Sequence, residues 1–228
     1  MSVEEDFTAE SFVSQIAKKK PCSLLEIVSV STGVPFSQAL STREFANHTR
    51  VTYASEFHCQ VGVQFLRFPK LTDLGVSIKS FPSTYDIAFL DPWHEVEDSF
   101  QIIEMALNRV RLGAVLLVHD CHVRDSELRN IKAPEIFPYQ WCGSTWVAWS
   151  LLTKSLSHEF SWMTIDADYG IGVLKVPELK SQRRQLLRIL RSLSKQWTSG
   201  NLSHPEWSDD PEHLHLVQPT DPRVTEWA

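Results

Sequence analysis

The pattern of apolar and polar positions is sharpest between Tyr85 and Cys121. Tyr85-Asp86-Ile87-Ala88-Phe89-Leu90-Asp91 and Leu112-Gly113-Ala114-Val115-Leu116-Leu117-Val118 are short apolar runs, the first stopped by Asp91 and the second followed by His119-Asp120. Such runs predict strands buried on both faces of a parallel sheet. Between them Val96, Phe100, Ile103, Leu107 and Val110 recur at steps of three and four, the period of an amphipathic helix. Gly113 then stands where a left-handed helix cap is expected. Strand, helix, strand in this order predicts a right-handed crossover. Ligands of open sheets of this kind sit beyond the carboxyl ends of the strands. Asp91, His94, His119 and Asp120 are therefore expected on one rim.

The rest of the chain extends this pattern. Ala9 to Lys19 reads as a helix with Phe12, Val13 and Ile16 on one face, and Cys22 to Val30 as a buried strand. Ser31-Thr32-Gly33 follows, a small-residue turn of the kind that cradles nucleotide cofactors. Gly33 is the candidate there, with a plain strand-to-loop turn as the alternative. Arg50 to Glu56 predicts a second strand ending in an acid. Glu56 is either the acceptor of two ribose hydroxyls or a solvated loop carboxylate. Val76 to Ile78 is the expected third strand, and Trp141 to about Leu156 contains a further helix. Phe160 to Asp166 and Gly170 to Val176 alternate around a turn, which predicts a β-hairpin. Ser181 to Trp197 is an amphipathic helix with Leu186, Leu187, Leu190 and Leu193 opposed to arginines. The expected architecture is α/β: a doubly wound, Rossmann-like, mostly parallel sheet with a C-terminal antiparallel hairpin and helices on both faces. Residues 1–197 form the domain, and residues 198–228, rich in Pro, Asp, His and Glu without periodicity, are expected to be an extended or disordered tail.

Composition narrows the partners. A net charge of −6 argues against a nucleic-acid backbone. No apolar run approaches the roughly 20 residues of a membrane span. The acidic first ten residues do not read as a signal peptide. Cys22, Cys59, Cys121 and Cys142 form no Cys-x-x-Cys pair, which fits reduced thiols in a cytoplasmic chain.

Three blocks carry a family resemblance: Leu24-Leu25-Glu26-Ile27 with Thr32-Gly33; Phe89-Leu90-Asp91 with His94 and Val118-His119-Asp120-Cys121; and Trp141-Cys142-Gly143 with Trp146, followed by Asp166 and Asp168-Tyr169-Gly170-Ile171-Gly172. From Leu24 to Trp197 the chain resembles the class I S-adenosylmethionine-dependent methyltransferases, in particular the bacterial O-methyltransferases acting on glycans and small molecules. The first block departs from the family: Val28 stands where a glycine is usual, and Ala114 replaces the second glycine of a later pair. The resemblance implies S-adenosylmethionine as cofactor, with Glu26, Gly33, Glu56 and Asp91 as its candidate contacts. It also implies Asp91 and Asp120 as ligands of Mg2+, although the usual third ligand is Cys121 here, and sulfur suits a hard cation poorly.

Methyl transfer to oxygen requires removal of the hydroxyl proton, and a base with a pKa near working pH favours histidine. His94, with His119 as a second choice and Asp91 beside them, makes up the expected catalytic group. The expected acceptor is a sugar, glycan or other hydroxylated small molecule. The competing expectation is a catalytically inactive binding module on the same fold, motivated by Val28. Asp91 and Asp120 as mere loop caps, with His119 bonded only to backbone, is the bland alternative.

Overall fold

The computed structural model describes residues 7–19, 22–28, 45–52, 64–67, 85–129, 141–207 and 214–227. Helix α1 (Ala9–Lys19) leads into β1 (Cys22–Val28), β2 (Phe45–Thr52), β3 (Gln64–Arg67) and β4 (Tyr85–Asp91). Then come α2 (Val96–Leu107), β5 (Val110–Val118), α3 (Thr145–Ser155), the pair β6 (Trp162–Ile165) and β7 (Ile171–Lys175), and α4 (Lys180–Thr198). A short strand β8 (Leu216–Val217) and helix α5 (Pro222–Trp227) complete the chain.

The eight strands form one sheet in the order β3-β2-β1-β4-β5-β7-β6-β8. β3, β2, β1, β4 and β5 are mutually parallel, whereas β7 is antiparallel to both β5 and β6. The expected doubly wound sheet with its antiparallel hairpin is therefore present. Side-chain alternation along the strands separates two cores. Leu24, Ile87, Phe89 and Leu117 pack with Phe12, Val13 and Ile16 of α1 and Val224 of α5. Leu25, Ile27, Ala88, Leu90 and Leu116 pack with α2, α3 and α4 on the other face. Each large aliphatic or aromatic side chain buried this way contributes roughly 1.5–3 kcal/mol.

Several elements depart from the sequence pattern. The second strand is described over Phe45–Thr52, so it begins five residues before the expected Arg50, while 53–56 lie outside the described residues. Its polar residues His48 and Arg50 are buried because both face Glu26 of β1, with His48 Nε2 3.0 Å from Glu26 Oε2 and Arg50 Nε 3.6 Å from Oε1. A strand whose inward positions carry charge does not show an apolar alternation. The third described strand is Gln64–Arg67, while Val76 to Ile78 lies outside the described residues. Gly113 is not a helix cap. α2 ends at Leu107 with Asn108 as its cap, and Gly113 sits inside β5 at φ +74°, where the β4/β5 register is irregular and its amide reaches the Val176 carbonyl.

A further difference concerns the tail. β8 pairs in parallel with β6, and Val217 and Val224 are buried on the α1 side. Residues 214–227 are thus folded onto the sheet, not extended away from it. A two-residue strand and a single-turn helix are too short to announce themselves by periodicity.

Candidate active site

β4 and β5 deliver the site. Leu90 pairs with Val118, and the His119 amide continues the ladder by donating to the Leu90 carbonyl at 2.9 Å. Asp91, His119 and Asp120 therefore reach the same edge. Pro92 lacks an N–H and cannot extend the ladder. The chain then folds back at His94, whose φ is +34° and whose amide bonds the Pro92 carbonyl at 2.8 Å. Left-handed backbone recurs around this rim at Asp120, Asp168 and Tyr169. Non-glycine residues rarely adopt it, and such strain concentrates at functional sites.

Two imidazoles alternate with three carboxylates. His94 Nε2 lies 3.3 Å from Asp91 Oδ1 and 3.1 Å from Asp120 Oδ2. His119 Nδ1 faces Asp120 Oδ1 at 3.2 Å, and its Nε2 lies 3.3 Å from Asp168 Oδ2. The same Asp168 oxygen accepts the Ala9 amide N–H at 3.0 Å, capping the first turn of α1. His94 is fixed from behind as well: the Ser144 amide and hydroxyl donate to its carbonyl at 2.6 and 3.0 Å. Gly143 lies against it so closely that a Cβ would stand 2.5 Å from His94 Cβ and 2.9 Å from Trp141 Cζ2. Trp141 meets the His94 ring edge-on at 5.5 Å.

These contacts set the proton inventory. Burial works against a charge on His94, but the hydrogen bonds and charges of Asp120 and Asp91 outweigh it and raise the pKa to about 10. His119 is likewise raised, burial being overcome by Asp120 and Asp168. Burial opposes ionisation of Asp120 too, yet the two imidazoles hold its carboxyl well below the usual range. At neutral pH both imidazoles are protonated. A ready, neutral His94 base, as the sequence suggests, is not what this arrangement holds.

The donor set fits a divalent cation. Ligand atoms of Asp91, His94 and Asp120 lie within 4.8 Å of one another. Asp120 Oδ1 is buried with no aligned hydrogen bond among the described residues. Two carboxylates and one imidazole suit magnesium, manganese or iron. Cys121 plays no part in this: its thiol faces the core, donating to the Val118 carbonyl at 3.2 Å, and a Cβ on Gly172 would stand 2.7 Å from the sulfur.

The structure thus brings together Asp91, His94, His119 and Asp120, as the strand pattern predicts. It does not bring Glu26 to them. Glu26 is opposite Phe89, two residues below the rim, and is fully buried against His48 and Arg50. Gly33 and Glu56 lie outside the described residues. Val28 pairs with Asp91, and its side chain is buried in the α1-side core. Asp168, Gly143 and Ser144 are members that residue type and periodicity do not expose. Only Asp168 had a usable signal: a hairpin strand running back alongside β5 puts the preceding turn next to the end of β5.

No protein-family model and no curated protein matches the chain. Solved structures do. An SAH-bound methyltransferase from Podospora anserina, PaMTH1, superposes with a TM-score of 0.51 at 12% identity, over 73% of this chain and 76% of its own. An O-methyltransferase from Bacillus cereus in complex with SAH gives a TM-score of 0.49 at 16% identity, covering 76% of this chain and 83% of its own. A putative O-methyltransferase from Klebsiella pneumoniae has the same TM-score and coverage at 18% identity. The fold is that of the class I methyltransferases. The strand order changes direction between β1 and β4, the point beside which open sheets of this kind bind ligands, and Asp91 ends β4 there. Fold alone leaves the chemistry to the side chains.

Proposed function

We propose that this chain is an S-adenosylmethionine-dependent methyltransferase that methylates a hydroxyl of a small molecule, a sugar or glycan among the candidates. The observation that carries the reading is the meeting of Asp91, His94, Asp120 and His119 at the carboxyl ends of β4 and β5. The Podospora protein of the same fold is SAH-bound. Bound S-adenosylmethionine would supply a methyl group on a positively charged sulfur. Three carboxylates against two imidazoliums leave the rim with one net negative charge, a field complementary to that sulfur.

Asp91, His94 and Asp120 would hold a divalent cation, which polarises an acceptor hydroxyl and lowers its pKa. In this reading His119 is the base only after its Nδ1 proton has left to solvent, a loss that a divalent charge beside Asp120 would favour. Its Nδ1 takes the hydroxyl proton, Nε2 stays bonded to Asp168, and Asp168 is itself anchored by the first amide of α1. Asp168 is thus the group that orients the imidazole.

Titration calorimetry with S-adenosylmethionine tests the reading, first without and then with Mg2+ or Mn2+. Micromolar-to-submillimolar binding is expected, and His119→Asn is expected to keep it while losing turnover of any acceptor found, on the order of 10²–10⁴-fold. A second reading, an inactive module, is favoured by Val28 in place of glycine. An absence of cofactor binding at millimolar concentration would establish that module instead.

A further inference from the structure

We infer that the end of the sheet opposite the rim docks on an anionic lipid surface. β1, β4 and β5 all start at this end, here called the base. α1 runs down to it from Asp168 and ends there, Lys19 Nζ donating to the Thr225 carbonyl at 2.9 Å. β7 also finishes at the base and α4 starts from it. The ends of five separate elements therefore place Lys18, Arg111, Lys154, Lys175, Lys180 and Arg184 on one side of the molecule, all exposed. Among the described residues the acids there are fewer, Asp86, Glu159, Glu178 and Glu226; Asp86 pairs with Arg111 and Glu178 with Lys175, which leaves Lys18, Lys154, Lys180 and Arg184 as the cations in excess. The opposite end carries Asp91, Asp120, Asp166, Asp168 and the first-turn acids of α2. Among the described residues, cations therefore prevail at the base and acids at the rim, where Arg124, Lys195 and Arg223 offset part of the negative charge.

Helix stability explains only part of this set. Lysines at the C-terminal ends of α1 and α3 complement the helix dipole, but the cations opening α4 oppose it. Lys180, Arg183 and Arg184 stand in or beside its first turn, which holds no acid of its own; Glu178 just before it pairs with Lys175, and Leu179 at the N-cap gives no side-chain cap. Leu179 is also the most exposed large apolar residue described, at 59%. An apolar tip among cations is the combination that meets an anionic headgroup layer. A recess of about 440 Å³ opens in the same end, where Lys19, Arg111 and Lys175 are balanced by Asp86, Glu178 and Glu226 on its wall. The cations arise from several element ends spread over one side, not along one track. A planar anionic surface reaches all of them together, whereas a linear polyanion reaches a few. Docked this way, the acidic rim faces away from the lipid and stays open.

Co-sedimentation of the full chain with vesicles tests this. Binding is expected to phosphatidylcholine vesicles containing phosphatidylserine at about 0.1 M salt, to weaken as salt rises, and to be absent with phosphatidylcholine alone. Each lost cation costs about five-fold, so the double change Lys180→Glu, Arg184→Glu is expected to weaken binding at least about 25-fold. Lys195→Glu, on the same helix but at the rim end, is expected to change it little. Circular dichroism checks that each variant is folded. Equal binding to neutral vesicles, no binding to either, an equal loss in Lys195→Glu, or binding only to a soluble polyanion such as heparin would each overturn the inference.

Discussion

Gly143→Ala probes how tightly the site is held. Gly143 has φ +56°, and its missing side chain is where His94 and Trp141 pack. An alanine pays for the left-handed backbone, about 1–2 kcal/mol. It also places a Cβ against the His94 carbonyl, 2.5 Å from His94 Cβ and 2.9 Å from Trp141 Cζ2. Ordinary contact needs about 3.4 Å or more, so the His94 loop must retreat by about 0.5–1 Å. Overpacking of this kind adds about 1–3 kcal/mol. Gly200→Ala is the matched control: φ is +72°, with nothing within 4 Å of the added carbon. It should cost the backbone term alone. Urea denaturation of both variants gives the difference. Nuclear magnetic resonance of the His94 ring gives the local effect, because an imidazole moved off Asp91 and Asp120 loses the contacts that raise its pKa to about 10. The reasoning fails if the two variants lose equal stability, or if the His94 titration is unmoved in Gly143→Ala.

Two further outcomes follow from the same contacts. His94 has a folded pKa of about 10, above its unfolded value near 6.5. Its proton therefore stabilises the fold fully below pH 6.5, by up to about 5 kcal/mol, and that contribution is lost as pH rises from 6.5 to 10. His94→Asn should be less stable at pH 6 and show a flatter decline to pH 10 in denaturant melts; parallel wild-type and variant profiles would refute the assignment. Truncation after residue 213 removes β8 and α5 with buried Leu214, Val217 and Val224, and should cost roughly 4.5–9 kcal/mol of unfolding free energy in urea denaturation. A truncated chain as stable as the full one would show that the tail is dispensable.

Residue pattern alone carries the crossover from Tyr85 to Val118, the hairpin and the long basic helix, because buried parallel strands and amphipathic helices leave periods of two and 3.6 in the chain. It also carries the sharing of one rim by Asp91, His94, His119 and Asp120, since strand direction in a parallel sheet fixes which end each acid occupies. The first cofactor motif is less legible: Glu26 belongs to a buried charge cluster with His48 and Arg50, an arrangement that needs the β1/β2 register before it can be seen.

What local sequence determined here is the sheet, its winding and the identity of the rim residues. Only the tertiary structure decided that one imidazole nitrogen sits between two carboxylates, that Asp168 returns from a distant hairpin to hold His119, and that β8 and α5 close the far edge. Periodicity records which side of an element is buried. Pairwise distances across the chain, and the proton affinities they impose, exist only after the strands have been set side by side.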